Sequence, residues 1–441
     1  MAKARRENLL LLYYKRGVYP LRDTIRTHLF CWKRYSRHRV SYVNVALGIP
    51  RWALRGIEWD GVIFHTSFLG LRWSAKTFRT YVRRCAFLKG WSCPKIAMPQ
   101  DEFMNTDVLC DFINDFGITH VLSVAEAKDW PTIYAKVDRE HVAFRTILTG
   151  YLDPETLRRI ERLKKRDYSR DADIGYRAWR SEAWLGEHGM HKVWIGEAFQ
   201  RAADELGLRA DISFREEDVL AGDVWFEFLL RCKAVLGVEA GASVLDARGE
   251  LKEKVNTYLS ANSKANFEEI REHCFPNEDG KLGLQVIAPR HLEACATETC
   301  QLLLEGRYSG ILEPRKHYIP VKRDYSNVRE IAAFLKDKAK ISEITTAAHK
   351  DVVLSNRWTY ERFVRDIEKS VFPQLFAAQA GRSGFRACLA GGYLRLREFL
   401  GWQRIKCEVF LFSMMPVGIQ QRIMNIVRTL RESRVDREAE E

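Results

Sequence analysis

Short apolar runs alternate with amphipathic, helix-like segments along the first third of the chain. The leucine-rich run NLLLLYYKRG has the composition of a buried strand, and the segment PLRDTIRTHLFCWKRYS that follows has apolar residues at helical spacing. Further strands are predicted at RVSYVNVALG, WDGVIFHTSFLG, PKIAMPQ and THVLSVAE, and further helices at SAKTFRTYVRRCAFLKG and NTDVLCDFINDFG. Because strands that alternate with helices of this length form βαβ units, the pattern predicts a parallel sheet with helices on both faces.

The same alternation resumes after the charged helical segment DPETLRRIERLKKR. Strands are predicted at ADIGYRAW, CKAVLGVEAGASVLD, QLLLEG and HYIPVK, with a helix at HKVWIGEAFQRAADELG and a helical insertion at residues 249–284. We therefore predict an α/β fold of two Rossmann-like doubly wound domains, residues 1–165 and 166–373, that face each other across a cleft. Residues 374–441 mix apolar and Arg-rich helical turns and predict a helical appendage, which either packs on the body or lies on a membrane or partner.

Positive charge is concentrated in one part of the sequence. Residues 1–100 hold 20 Lys and Arg against 4 Asp and Glu, a net charge of +16, so residues 101–441 carry −3 of the total of +13. A one-sided field of this kind attracts phosphate groups of lipids, acceptors or nucleic acids. The alternative is a solvated basic face that only aids solubility.

Several classes of protein are disfavoured by what the sequence lacks. The ten cysteines show no CxxC pair and no zinc-ligand spacing, which fits reduced thiols in the cytoplasm. No apolar run approaches the roughly 20 residues of a spanning helix. Neither GxGxxG nor GxxxxGK[ST] is present, so a dinucleotide cofactor and P-loop phosphoryl transfer are not expected.

The segment PRHLEACATETCQLLLEGRYSGILEPRKHYIPVKRDYSN resembles the donor-binding C-terminal half of two-domain GT-B glycosyltransferases. It is most similar to the bacterial glycosyltransferase family 1 group that includes spore-maturation-type proteins. The similarity extends to LGVEAGASVLD and DIGYRAW, and into the first domain at VIFHTSFLGLRW, MPQDEF and LTGYLD, and so covers most of residues 1–373. The resemblance implies transfer of a sugar from a nucleotide-sugar donor to an acceptor hydroxyl, with no metal and no other cofactor.

The resemblance also assigns donor-binding residues. Glu293, expected in the first turn of a helix, matches the acidic residue that accepts hydrogen bonds from the donor ribose, and a helix dipole there keeps a carboxylate ionised. Arg290 and His291 would face the donor phosphates, and Arg177 and Lys192 would neutralise the departing nucleoside diphosphate. The other expected contacts with the donor sugar, its phosphates or the same edge of the cleft are Glu239, Gly241, Ala242, Ser243, Tyr308, Ser309 and Gly310.

Catalytic groups of the first domain are expected where its strands end. His65 follows one predicted strand, and Asp101 and Glu102 follow another. A histidine or a carboxylate with a raised pKa suits removal of a proton from the acceptor hydroxyl. The alternatives are a core histidine for His65 and a helix cap or hinge contact for Asp101.

The acceptor class stays open between a glycan, a lipid-linked saccharide and a protein. The basic first domain adds an anionic membrane as a peripheral partner, which would place the protein at the cytoplasmic face of a membrane. Two other functions remain: a sugar-nucleotide epimerase on the same fold, and a non-catalytic protein that binds nucleic acid or anionic membranes. The resemblance disfavours nucleic acid as a partner.

Overall fold

The computed structural model describes residues 8–17, 22–166, 168–371, 385–416, 419–420 and 422. The first domain contains a six-stranded parallel sheet in the order β2-β1-β3-β4-β5-β6. Its leucine-rich strand β1 is buried on both faces, because Leu9 to Leu12 all have 0% exposure. The elements are β1 (Asn8–Tyr13), α1 (Asp23–Tyr35), β2 (Arg39–Asn44), α2 (Arg51–Arg55), β3 (Gly61–Phe64), α3 (Thr66–Leu69), α4 (Ala75–Arg84), β4 (Lys95–Ala97), α5 (Thr106–Phe116), β5 (His120–Ser123), α6 (Trp130–Ile133), β6 (Ala143–Thr146) and α7 (Pro154–Lys164).

The second domain contains a five-stranded parallel sheet in the order β13-β12-β9-β7-β8, with an antiparallel ribbon of β10 and β11 beside it. Short 3₁₀ turns and one π-helical turn (His349–Leu354) connect several of its elements. The elements are β7 (Ala172–Arg177), α8 (Gly186–Leu206), β8 (Ala210–Ser213), α9 (Asp223–Arg231), β9 (Cys232–Gly237), β10 (Ala240–Ala242), α10 (Glu250–Ala261), α11 (Phe267–Cys274), β11 (Leu284–Val286), α12 (Pro289–Ala296), β12 (Cys300–Leu304), β13 (Ile319–Val321), α13 (Val328–Phe334), α14 (Lys338–Ala348) and α15 (Tyr360–Val371).

Both sheets have the same doubly wound strand order. In each one the chain moves outward from the first strand to one edge, returns, and then continues to the other edge. Ligands of such sheets bind beyond the carboxyl ends of the strands, at the point where the strand order reverses. The predicted fold class, two Rossmann-like domains facing a cleft with a helical C-terminal appendage, is confirmed.

The helical insertion of the second domain and the residues just before it pack against the first domain. The backbone N–H of Asn105 donates to the carbonyl oxygen of Asp246 over 2.7 Å, and the N–H of Asp107 donates to that of Ala247 over 3.0 Å. Side chains of the ribbon and of α10 and α11 join the hydrophobic core of the first domain. The loop after β4, which carries two of the predicted catalytic residues, is therefore held against the second domain.

The last helices also return to the first domain. Phe363 of α15 stacks on Tyr151 with ring centroids 4.7 Å apart and packs against Trp32 of α1. A single long helix, α16 (Phe385–Ser413), runs along the edge strand β2 and α2. The boundary predicted between residues 165 and 166 stays a prediction, and the parts of the predicted appendage at residues 374–384 and 423–441 lie outside the described residues.

No helix in the described parts of the chain combines the length and the apolar character needed to cross a membrane.

Candidate functional site

A cavity of about 290 Å³ opens between the two domains at the carboxyl ends of β7 and β8. The start of α1 forms the wall that belongs to the first domain, and the second domain supplies the rest. The lining combines aromatic rings, several cations and one carboxylate on α12. It includes Arg22, Asp23, Thr24, Arg177, Trp179, Ser213, Arg215, Trp225, Phe226, Pro289, Arg290 and Glu293.

Glu293 lies at the cavity wall, but not in the first turn of its helix as predicted. Helix α12 begins at Pro289, so Glu293 is its fifth residue and lies in the second turn. Its Oε2 accepts a hydrogen bond of 2.8 Å from the indole Nε1 of Trp225. Burial raises the pKa of the carboxyl group, an effect that the hydrogen bond from Trp225 and the charge of Arg290 oppose. The indole, rather than the helix dipole, therefore orients this carboxylate.

Arg290 lines the cavity, and Lys192 of α8 is near enough for the two charges to interact. The guanidinium Nη1 of Arg290 donates to the backbone oxygen of Arg177 over 2.8 Å, which directs it into the cavity. Burial lowers the pKa of the nearby Lys192 amine to about 8, with the like charge of Arg290 adding to the effect and Asp101 opposing it. No hydrogen-bond or ion-pair partner of the Lys192 amine is found within the described ranges. Two neighbouring cations, one of them partly buried and without a partner in the described ranges, form a site suited to an anionic ligand.

Arg177, predicted as a further cation for the leaving group, is already paired. Its Nη2 donates to Asp211 over 2.7 Å, and its guanidinium lies 4.4 Å from the ring centroid of Phe228. The side chain forms part of the cavity wall. Arg177 therefore positions Arg290 through its backbone oxygen, and its own charge is largely neutralised within the protein.

His291 does not face the cavity, contrary to the prediction. It is 1% exposed, and its Nδ1 lies 3.1 Å from Oε1 of Gln301. Its ring packs edge-on against Tyr308, and burial lowers its pKa to about 4. The prediction is wrong because helical periodicity turns the residue after Arg290 toward the core. His291 is a neutral core histidine.

Glu239 and the loop after β12 support the start of α12. The buried Glu239 carboxylate accepts hydrogen bonds from the backbone N–H of Arg307 (3.2 Å) and of Tyr308 (2.6 Å). Tyr308 and Ser309 both have left-handed backbone conformations, at φ values of 44° and 53°, which cost non-glycine residues free energy unless the surroundings hold them. Ser309 Oγ accepts from the N–H of Ile287 over 3.2 Å, just before α12. Glu239 therefore positions a loop.

The loop itself places its three predicted donor-binding residues differently. Tyr308 is fully buried, Ser309 is partly buried, and Gly310, with a φ of 69°, is exposed. Tyr308 accordingly supports the loop from inside, and a direct contact of Ser309 or Gly310 with a donor stays a prediction.

Gly241, Ala242 and Ser243 lie in or directly after β10, away from the cavity lining. Gly241 has a φ of 128°, and a Cβ there would meet the Leu284 backbone oxygen of the paired strand at 1.8 Å, so glycine is required by the ribbon. Ala242 is fully buried. Ser243 Oγ accepts from the N–H of His188 and donates to Asp279, which caps the start of α8. The predicted direct contacts with the donor are not supported by this placement.

Asp101 is the predicted catalytic residue that the structure leaves exposed. Its backbone has a φ of 53°, and the buried Arg72 donates to its carbonyl oxygen over 2.6 Å. Its Oδ2 lies 3.3 Å from the indole Nε1 of Trp73. The charge of Asp101 raises the pKa of Lys192, so the two side chains are near enough for their charges to interact.

Glu102 and His65 are buried and hold the first domain together. Glu102 is 0% exposed, and its two oxygens accept from Ser123, Tyr134 and the N–H of Val124. His65 caps α3 through its Nδ1, which accepts from the N–H of Ser67 over 3.1 Å. Neither side chain reaches the cleft, so the predicted catalytic roles of both are corrected to structural ones.

The other ring nitrogen of His65 also contacts a buried side chain, so neither nitrogen is available to take a proton from an acceptor. Its Nε2 lies 2.9 Å from Nδ1 of His28, a second buried histidine. Burial lowers the pKa of both imidazoles, to about 4 in His28. The core-histidine alternative is therefore the one that the packing favours.

Sequence reasoning missed the aromatic wall of the cavity. Trp225 follows the start of α9, and Trp179, which is 48% exposed, follows β7. Trp179 is the last residue of the strand predicted at ADIGYRAW, so its position at a strand end was a usable signal, but the pairing of Trp225 with Glu293 joins residues 68 positions apart. No cluster of three or more His, Cys, Asp or Glu side chains suited to a metal ion occurs within the described ranges.

Comparison with known proteins found similar folds among solved structures. No protein-family model matches the chain, and no curated protein matches it. The Anabaena protein HepE in complex with UDP is 12% identical, with a TM-score of 0.44 over 83% of this chain and 99% of that chain. AviGT4, a glycosyltransferase involved in avilamycin A biosynthesis, is 12% identical, with a TM-score of 0.42 over 84% of this chain and 98% of that chain. This chain is similar to both in overall architecture.

Proposed function

We propose that the protein is a glycosyltransferase that moves a sugar from a nucleotide-sugar donor to a hydroxyl group of a glycan, a lipid-linked saccharide or a protein. The observation that carries this proposal is that Glu293 and Arg290 line the same cavity, with Lys192 near enough for its charge to interact with that of Arg290. A carboxylate beside two tryptophans suits a nucleoside, since ribose hydroxyls donate to the carboxylate and a base stacks on an indole. The adjacent cations suit the diphosphate.

The cations supply the electrostatic part of the reaction. The acceptor oxygen forms a bond to the anomeric carbon while the bond from that carbon to the donor phosphate oxygen breaks. The nucleoside diphosphate leaves with the electron pair, and the charges of Lys192 and Arg290 stabilise the negative charge that develops on it. Two fixed cations perform this task without a metal ion, which makes metal independence part of the proposal.

Asp101 is the group that we assign to take the proton from the acceptor hydroxyl. It belongs to the first domain, its side chain is exposed, and its charge interacts with that of Lys192. Its exposed carboxylate is free to accept that proton as the new glycosidic bond forms. Glu102 and His65 serve by holding the strand ends that carry it.

A thermal-shift screen with UDP, GDP, TDP and CMP tests the donor site. A ligand at 100 times its Kd stabilises the native state by about 2.7 kcal/mol, so one nucleotide is expected to raise Tm. Glu293→Gln is expected to reduce the shift by weakening the ribose contact about five- to thirtyfold. Glu343→Gln, at an exposed position of the same domain, is the matched control and leaves the shift unchanged. An equal shift in wild type and Glu293→Gln contradicts the ribose assignment.

The two alternatives predict different results in the same screen. A non-catalytic protein that uses the +16 charge of residues 1–100 binds oligonucleotides or anionic vesicles in a salt-sensitive manner and shows no response to nucleotides. An epimerase converts the sugar nucleotide without any acceptor. Release of nucleoside diphosphate only when an acceptor is added separates the proposed transfer from both.

A further inference from the structure

Helix α16 has one face that packs on the first domain. Ala390, Leu394 and Ile405, at helical spacing, are buried to 6% exposure or less. Arg397 on the same face donates to the backbone oxygen of Gly48 over 2.9 Å, and the ring of Trp402 stacks on that of Tyr13. These contacts hold α16 along β2 and fix which side chains point away from the protein.

The opposite face of α16, continued into the turn that follows the helix, carries exposed apolar side chains. They form two groups on that face, one over residues 389–400 and one at 410 and 414, and each side chain is more than half exposed. No side chain of the described residues covers them. We call the following residues the outer strip: Leu389, Leu396, Phe399, Leu400, Phe410 and Met414.

The charges of α16 are divided between its faces. Of its two acidic residues, Glu398 pairs with Lys33 of the first domain over 2.7 Å, and Glu408 pairs with Arg404 within the helix. Arg395 and Lys406 are exposed along one edge of the outer strip. The outward surface is therefore apolar at its centre and cationic at its margin, and no acid of the described helix lies on it.

A second element extends this surface. Trp52 of α2 is 60% exposed, and its ring lies 4.8 Å from that of Tyr393 in α16. Arg51 and Arg55 on either side of it are exposed as well. An exposed indole between arginines is suited to the boundary between lipid headgroups and acyl chains.

We propose that the outer strip together with Trp52 is a docking surface for an anionic lipid bilayer, on which α16 lies parallel to the membrane plane. The apolar side chains enter the headgroup region while the flanking cations contact anionic headgroups. Charge complementarity favours this occupant over a second copy of the chain, because the matching face of a second copy is also cationic.

Docking of α16 brings the first-domain side of the cleft near the bilayer. The helix packs on Tyr13 at the end of β1, and Glu408 lies near Lys15, just beyond that strand. The carboxyl ends of these strands face the cleft. Among the acceptor classes of the proposed function, on which this last step rests, the surface therefore favours an acceptor carried by a lipid.

Co-sedimentation with vesicles tests the docking surface in the full-length protein. Wild type is expected to bind vesicles of phosphatidylcholine mixed with phosphatidylglycerol. A variant with Leu396→Ser, Phe399→Ser and Phe410→Ser is expected to bind at least about tenfold more weakly, since three apolar side chains lose their burial. The control, with Leu206→Ser and Leu354→Ser at exposed positions of the second domain, binds like wild type.

A charge variant tests the headgroup contribution separately. Arg395→Gln with Lys406→Gln is expected to weaken binding to the phosphatidylglycerol vesicles by about fivefold for each charge removed, and to leave binding to pure phosphatidylcholine unchanged. Lys336→Gln with Lys350→Gln, both exposed on the second domain, is the control.

Three outcomes overturn the proposal. Wild type that stays in the supernatant excludes the bilayer, and so does equal binding of the serine variant. Dimerisation in analytical ultracentrifugation that the serine variant abolishes, without vesicle binding, assigns the strip to a second copy. The nucleotide-induced rise in Tm is measured in every variant. A variant that loses vesicle binding but keeps this rise has lost only the docking surface. A wild-type protein that shows no rise contradicts the proposed function and leaves the docking surface to the vesicle assay.

Discussion

Lys192 couples the stability of this protein to ligand binding through one buried amine. Burial lowers its pKa from an ordinary 10.5 to about 8, and the charge of Arg290 acts in the same direction. At about 1.4 kcal/mol per pH unit, the difference means that the fold disfavours the protonated amine by up to about 3 kcal/mol. Because the pKa is lower in the folded state, this cost is fully present below pH 8 and disappears as the pH rises toward 10.5.

Lys192→Met is therefore expected to stabilise the free protein at neutral pH and to weaken nucleotide binding at the same time. The side chain keeps its length and loses its charge, so the cost of the buried cation is removed. For a domain of this size each kcal/mol changes Tm by roughly 2–4 °C. The assay is differential scanning calorimetry from neutral pH to pH 10, with and without the nucleotide found in the screen. Lys336→Met, at an exposed position of the same domain, is the control and leaves both quantities unchanged.

The dependence on pH distinguishes this reasoning from a general effect of the substitution. The gap in Tm between Lys192→Met and wild type should narrow as the pH rises through 8, because wild type loses the buried charge. The affinity of wild type for a nucleoside diphosphate should fall over the same interval. Two results would refute the inference that the Lys192 amine has no partner: a Lys192→Met variant that is less stable than wild type at neutral pH, or a difference in Tm between the two proteins that does not change with pH.

Three further substitutions test the assigned roles. Trp225→Phe removes the indole N–H that orients Glu293 and is expected to weaken nucleotide binding about five- to tenfold in isothermal titration, with a change in Tm of only a few degrees. Asp101→Asn should slow acceptor-dependent release of nucleoside diphosphate at least about a hundredfold at saturating nucleotide sugar; equal rates would remove the proposed base. Glu102→Gln places an amide opposite three donors and should lower the unfolding free energy by about 2–5 kcal/mol, measured by urea titration, while the folded variant still binds nucleotide.

The fold could be predicted from the sequence because the patterns that indicate its strands and helices each span only a few residues. The apolar runs at β1, β5, β7 and β12 are fully or almost fully buried strands, and helices fill the intervals between them as predicted. A parallel sheet buried on both faces requires continuous apolar strands, and such strands are readable without tertiary information. The strand predicted in WDGVIFHTSFLG is shorter than expected, because His65 caps a helix at that point.

The candidate site could be predicted from the sequence only in part, because it depends on the direction in which each side chain points. Glu293 and Arg290 line the cavity, and Lys192 is near enough to Arg290 for the two charges to interact. Their neighbour His291 points into the core, since adjacent residues of a helix face directions about 100° apart. Glu102 follows Asp101 directly, but one is buried with three donors while the other is exposed.

The sequence by itself determined the two parallel sheets, their helices, and the separation of a basic first domain from a nearly neutral second one, because composition and periodicity act over a few residues. Only the tertiary structure decided which charges are paired, which carboxylates are buried, and that Trp225 meets Glu293. Those properties come from contacts between distant segments, where burial and the identity of the partner set the free energy of each polar group. The same holds for α16, whose outward face is defined by the contacts that the other face makes with the first domain.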